Sequence, residues 1–236
     1  MGAQADTDGP ISILFIGNSY TYFNRMTRML QRLSAAAGTR PIRPDECTAG
    51  GRTLSWHWRR SGARGRIRRA RPDLVVLQEQ SVTPIYDPDR FARYAGLFCG
   101  RARAAGAEPL LFLTWARRYA PEMQDRLTEA YMRAARRSGA RVAPVGEAWR
   151  RALAGRRGLV LHTPDASHPN RAGSYLAACV FHATIHARSP VGLPGRLSAG
   201  GRGRRRDVLV SLKKSDAAFL QRAAWGAVKA FAPRER

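Results

Sequence analysis

Three short apolar runs constrain the fold of this chain more than any other feature: ISILFI at residues 11–16, LVVL at 74–77 and PLLFLT at 109–114. A strand with one face in water alternates apolar and polar residues, whereas a near-continuous apolar run fits a strand covered on both faces. Helical patterns fill the intervals. Residues 22–37 place Met26, Met29, Leu30 and Leu33 at helical spacing, 89–105 read as a second helix, and 121–138 as a third that opens on proline, favoured in a first turn. Residues 173–187 form an apolar helix. Residues 41–48 and 141–145 read as further, weaker strands. Strands alternating with helices imply βαβ units and a largely parallel sheet with helices on both faces. The 236 residues suit one large α/β domain or one domain plus an appendage.

Beyond residue 188 the texture changes. Residues 189–207 (SPVGLPGRLSAGGRGRRRD) are rich in Gly, Pro and Arg and read as loop or linker. Residues 211–231 place Ala217, Leu220, Ala224 and Val228 on one helical face, with Asp216 in the first turn. The expected division is a catalytic unit over 1–188, a basic linker over 189–210 and a terminal amphipathic helix over 211–236 that packs on the domain.

Chemistry gathers at the ends of the expected strands. The first strand runs into Gly17-Asn18-Ser19-Tyr20-Thr21 just before a helix. Ligands of parallel sheets bind beyond the carboxyl ends of strands, and a helix start favours developing negative charge. Ser19 there is either a nucleophile or, with Thr21, a helix cap. A serine nucleophile needs a base, and the base needs an orienting carboxylate. Asp165 and His168, three residues apart in the polar segment PDASHP, supply both. Gly50-Gly51-Arg52-Thr53, after the second strand, lets a backbone N–H approach a ligand. Gln78-Glu79-Gln80-Ser81, after LVVL, offers amide donors for an oxyanion.

In this order the four segments resemble the SGNH hydrolases, also called GDSL esterases and lipases. That superfamily runs nucleophile Ser, then Gly, then Asn, then a closing Asp-x-x-His. Gly17-Asn18-Ser19 resembles its Gly-Asp-Ser block, Gly51-Arg52-Thr53 its glycine block, Gln78-Glu79-Gln80-Ser81 its Gly-x-Asn-Asp block, and Asp165-Ala166-Ser167-His168 its closing block. The resemblance covers residues 11–185. It implies a flavodoxin-like three-layer α/β/α sandwich with a central parallel sheet of about five strands. It also implies a serine ester hydrolase that passes through an acyl-enzyme, with Ser19, His168 and Asp165 as triad and Ser19, Gly51 and Gln80 lining the oxyanion hole. Two positions depart from the pattern: Asn18 replaces Asp, and glutamine replaces the oxyanion Asn. Gln78 or Gln80 can fill the latter role, and Gly50 or Gly51 the glycine role, although Gly51-x-Thr fits the family better. The implied substrate is a small ester, acetyl or short acyl, with an acetylated carbohydrate as the leading example.

Forty-one basic residues face 17 acidic ones, a net charge of +24. The second functional reading is therefore a catalytically silent fold that binds anionic partners through arginine. Only Lys213, Lys214 and Lys229 are lysines, and arginine spread through an Ala- and Gly-rich chain reads as compositional bias, so nucleic acid is not an expected partner. No nucleotide-binding glycine pattern occurs and no cofactor is expected. His182 and His186 share a helical face without a third metal ligand, and are read as structural. Trp56-His57-Trp58 is read as packing, and Trp115 is placed to flank the substrate. Cys47, Cys99 and Cys179 form no disulfide framework. Residues 1–10 lack a signal-peptide core, and no run approaches the roughly 20 apolar residues of a membrane span. A soluble, cytoplasmic protein with no membrane contact is the expectation.

Overall fold

The computed structural model describes residues 9–200 and 207–231. The apolar runs become β1 (Ile11–Gly17), β3 (Leu74–Leu77) and β4 (Glu108–Phe112), the middle strands of one sheet. β2 (Ile42–Thr48) and β5 (Arg141–Ala143) close its edges. The order is β2-β1-β3-β4-β5, and every pairing is parallel. β2 carries Pro44 and few buried residues, which an edge strand tolerates.

Side chains alternate across the sheet. Ile13, Phe15, Val76, Leu110 and Phe112 enter the core on one side, and Leu14, Ile16, Val75, Leu77 and Leu111 enter the core on the other. The first core is closed by α2 (Met26–Ala36), α8 (Val145–Gly155), α9 (Arg171–His186) and α10 (Lys214–Phe231). The second is closed by α3 (Leu54–Arg60), α4 (Ala63–Ala70), the single turn α5 (Thr83–Tyr86), α6 (Pro88–Arg103) and α7 (Met123–Ser138). The result is the expected α/β/α sandwich. The chain reverses direction across the sheet between β1 and β3, so the crevice above their carboxyl ends is where such a sheet binds ligands.

Several elements differ from the sequence reading. The helix expected over 22–37 is broken. α1 (Ser19–Tyr22) is a single turn, a 3-10 turn (Phe23–Arg25) follows, and Asn24 and Arg25 adopt positive φ of 52° and 57° before α2 begins. α3, α4 and α8 fall where no helix is expected; α4 (ARGRIRRA) buries only Ala63 and Ile67, too few apolar positions to show a period. α9 starts two residues before the expected boundary because the Asn170 side chain caps it, accepting from Gly173 N–H at 3.0 Å. Within the expected linker, β6 (Arg196–Ser198) pairs antiparallel with β7 (Val208–Ser211), and Leu197, Leu209 and Val210 join the first core. α10 packs on α8 and α9 in that same core. The Gly-Arg run 201–206 lies outside the described residues. No helix among the described residues is long and apolar enough to cross a membrane. Cys47, Cys99 and Cys179 are free and buried.

Candidate active site

β1 delivers Asn18 and Ser19 to the mouth of the crevice. Gly17 is required there by close approach and not by an unusual φ. A Cβ on it would lie 2.5 Å from Gln78 Oε1 and 2.9 Å from Gln78 Cβ. Gln78 Oε1 accepts from Asn18 N–H at 2.8 Å and from the Thr21 hydroxyl at 3.1 Å. Asn18 caps α1 by accepting from Tyr20 N–H, and its amide donates to the Arg52 carbonyl at 3.0 Å. That donation ties the serine turn to the glycine turn, and a carboxylate in place of Asn18 could not make it. α1 is too short for a large helix dipole, so local N–H groups supply the positive potential at Ser19.

The segment after α8 brings the carboxylate and the imidazole. One Asp165 oxygen accepts from Ser167 N–H and His168 N–H, each at 2.9 Å, and from the Thr163 hydroxyl at 2.7 Å. The other accepts from His168 Nδ1. The three-residue spacing thus lets a single carboxylate fold the turn and orient the ring. With Nδ1 carrying the proton, His168 Nε2 accepts from the Ser19 hydroxyl at 2.8 Å, across 149 positions of sequence. Burial acts to raise the Asp165 carboxyl, but the His168 ring, the Thr163 hydroxyl and the two N–H groups outweigh it and hold Asp165 well below the usual carboxylate range. It is therefore ionised opposite the imidazole.

Aromatic contacts that the sequence reading missed fix this turn in place. Tyr20 donates to or accepts from the Ser167 hydroxyl at 2.7 Å and stacks on Trp115 with ring centres 4.5 Å apart. Trp115 stacks in turn on Trp149 at 4.2 Å, and its indole N–H donates to the Ser167 carbonyl at 3.0 Å. Trp115 is 1 % exposed, so it lies under the His168 turn and does not flank a substrate as expected. Phe23 stacks on the His168 ring at 4.4 Å, and the Asn24 amide donates to the Pro169 carbonyl at 2.9 Å. The kink at Asn24 delivers this last contact, and asparagine tolerates the left-handed region better than most residues. Only the proximity of Tyr20, Phe23 and Asn24 to Ser19 in sequence hinted at these roles.

The two glutamines separate clearly. Gln78 is fully buried and both ends are engaged, its amide donating to the Glu79 carbonyl. Gln80 uses only its oxygen fully: it accepts from Val82 N–H at 3.0 Å and Thr83 N–H at 3.1 Å, while its amino group has one long contact, 3.4 Å, to Ser81 Oγ. Gly51 adopts φ of +67° with open space where a Cβ would go, whereas Gly50 does not, so the turn demands glycine at 51. The N–H groups of Ser19 and Gly51 have no hydrogen-bond partner among the described residues.

Beneath these turns Glu79 is 1 % exposed. It accepts from Leu54 N–H at 3.2 Å and Gln80 N–H at 2.7 Å, joining the glycine and glutamine segments. Burial pushes its carboxyl up to about 7 against those bonds. Between an unfolded value near 4.5 and about 7, the folded state holds a proton that the unfolded state has lost, so the contribution of Glu79 to stability is greatest below this window and falls as pH rises through it. The cost at pH 8 is about 3 kcal/mol. Glu79→Gln keeps an acceptor without the charge. Thermal melts between pH 5 and 8.5 should show a shallower decline for the variant and a midpoint several degrees above wild type at pH 8; parallel curves would contradict this.

His57 and Trp58 pack as expected: His57 Nε2 bonds the Gly17 carbonyl at 2.8 Å, and Trp58 meets Phe98 edge-on. His182 and His186 both face Ser34 Oγ, and among the described residues no group of three His, Cys, Asp or Glu side chains could hold a metal.

A serine, an imidazole and a carboxylate stand in hydrogen-bonded series at the switch point of a five-stranded parallel sheet. A protein from Slackia heliotrinireducens described as an SGNH hydrolase is 32 % identical; 75 % of this chain matches all of that one, with a TM-score of 0.65. The chain belongs to the SGNH hydrolase superfamily and, at the level of that family, is a hydrolase of ester bonds. Two further structures share the fold. A DUF4886 family protein from Bacteroides uniformis is 19 % identical over 96 % of each chain, with a TM-score of 0.73. An acetylxylan esterase from Geobacillus stearothermophilus is 16 % identical, over 73 % of this chain and 93 % of its own, with a TM-score of 0.58. No protein-family model matches the chain, and no curated protein matches it.

Proposed function

We propose that this chain is a serine esterase in which Ser19 is the nucleophile, His168 the general base and Asp165 its orienting partner. The observation that carries the reading is the unbroken series from Asp165 through both ring nitrogens of His168 to Ser19 Oγ. His168 Nε2 takes the serine proton as Oγ attacks the ester carbonyl. The resulting oxyanion is held by the N–H groups of Ser19 and Gly51 and by the amino end of Gln80. The pinned Gln80 oxygen supports assigning this role to Gln80, and the double engagement of Gln78 argues against Gln78. His168 then protonates the departing alcohol, and the same imidazole activates water to release the acid. Each oxyanion donor contributes about 3 kcal/mol to lowering the barrier.

The substrate is a small ester with an acetyl or other short acyl group, and an acetylated carbohydrate is a candidate because acetylxylan esterases share the fold. We assign catalysis to residues 1–188, with α10 as a buttress. The test is release of 4-nitrophenol from an acyl series running from acetate to octanoate, with acetylated xylan alongside and Ser19→Ala as the blank. The reading expects Ser19-dependent turnover that is fastest on the shortest acyl groups. Equal rates in wild type and Ser19→Ala on every ester would end it.

A further inference from the structure

A cavity of about 330 Å³ lies between the turn after β3 and the start of α7. Its walls include the apolar Val82, Ile85 and Met123, and at its rim Tyr86 and Tyr119 are 75 % and 67 % exposed. Two guanidiniums, Arg117 and Arg126, line it, with Glu122 as the one acidic residue in the lining. Arg126 donates to the Ile85 carbonyl at 3.2 Å. Arg117 donates to the Tyr119 hydroxyl at 2.8 Å and reaches Ser81 Oγ at 3.5 Å, while its Nε is buried with no partner.

Among the described residues neither arginine has a carboxylate within ion-pair distance, although Arg150 close by is paired with both Asp125 and Glu147. The nearest catalytic acid, Asp165, is taken up by His168. Two guanidiniums with no paired carboxylate at one cavity favour an anion, and the terminal nitrogens of Arg117, held only by the Tyr119 and Ser81 hydroxyls, are the donors for it. Arg117 is also contiguous with the chemistry. Ser81 leads to the Tyr20 hydroxyl, that hydroxyl bonds Ser167, and Ser167 precedes the base.

We propose that Arg117, seconded by Arg126, forms an anion subsite of the esterase and that the ester it cleaves carries a carboxylate away from the bond that breaks. This presupposes Ser19 as nucleophile and narrows the substrate class: the scissile group sits at Ser19, the carboxylate at Arg117, and the body of the substrate lies against Val82, Ile85 and the tyrosines.

Two matched pairs of esters test the subsite and report which side bears the anion. Mono(4-nitrophenyl) glutarate against 4-nitrophenyl butyrate places the charge on the acyl side, and 4-acetoxybenzoate against phenyl acetate places it on the alcohol side. Wild type should show a higher kcat/KM for the anionic member of one pair. In Arg117→Ala that anionic-to-neutral ratio should drop roughly 30-fold, chiefly through KM. Arg117→Lys should recover part of the ratio, and added salt should compress it in wild type alone. A ratio unchanged in Arg117→Ala, with Arg117→Gln used if the alanine variant folds poorly, overturns the subsite while leaving the esterase intact. If no ester is cleaved in a Ser19-dependent way, the esterase reading is the one that fails. Calorimetric titration with glutarate and 4-hydroxybenzoate then decides the subsite alone: binding by wild type and none by Arg117→Ala supports it, and equal binding or none by both removes it.

Discussion

Ser19→Ala should lower kcat on a chromogenic short-chain ester by roughly 10⁴ to 10⁶-fold while the protein remains folded. The size follows from what the hydroxyl does. On the proposed mechanism it is the atom that attacks, and without it His168 has no proton to take and no acyl-enzyme can form. What should remain is the contribution of the proposed oxyanion donors to direct attack by water, because the N–H groups of Ser19 and Gly51 survive the substitution. Folding should be nearly unaffected. Ser19 Oγ makes one side-chain hydrogen bond, to His168 Nε2, and the ring is still held by Asp165 and Phe23. Steady-state rates with a thermal melt on the same samples check both halves. A rate loss under tenfold in a well-folded variant would mean that another residue attacks.

Gly17→Ala should do smaller damage to the rate by a different route, and should destabilise the fold as well. Its Cβ would come within 2.5 Å of Gln78 Oε1, 2.8 Å of Thr21 Oγ1 and 2.9 Å of Gln78 Cβ. Gln78 is sealed between β1 and β3 and cannot swing away without surrendering its bonds to Asn18 N–H and Thr21. The turn that aims Ser19 would shift, and so would the Gly17 carbonyl, which accepts from Ala49 N–H and His57 Nε2. Overpacking of this kind costs about 1–3 kcal/mol, and the lost bonds add to it. Misplacing a nucleophile by about an ångström costs roughly 10²-fold in rate. Urea denaturation and kcat/KM on the same ester measure the two effects together. Wild-type values of both would show that the turn has slack that these distances do not allow.

How much of this was legible in the sequence depended on how far each interaction reaches. The central strands announced themselves because burial on both faces forces continuous apolar runs, and β3 falls on LVVL as read. β2 was fainter because an edge strand keeps polar residues. The β6–β7 ribbon was hidden because three- and four-residue strands among Gly, Pro and Arg carry no period, although Leu197 and Val210 enter the core. At the site, Ser19, Asp165 and His168 were legible because their segments, in order, resemble the SGNH pattern; taken one by one, each read as well as a cap or an ordinary loop. The supports were not legible. The Tyr20–Trp115 stack joins residues 95 positions apart, and nothing in TWARR shows that Trp115 turns inward under the His168 turn. Gln78 and Gln80 look equivalent as letters. Only burial distinguishes the one locked behind Asn18 from the one whose amino end is left nearly free.

The most direct measurement is covalent capture of the nucleophile by a 4-nitrophenyl alkylphosphonate, whose phosphorus accepts the attacking oxygen and keeps it. Intact mass should rise by one phosphonyl group per chain, peptide mapping should place it on Ser19, and His168→Ala should slow labelling by orders of magnitude. An unmodified chain, or a phosphonyl group on Ser81 or Ser167 with Ser19 untouched, would contradict the role given to Ser19.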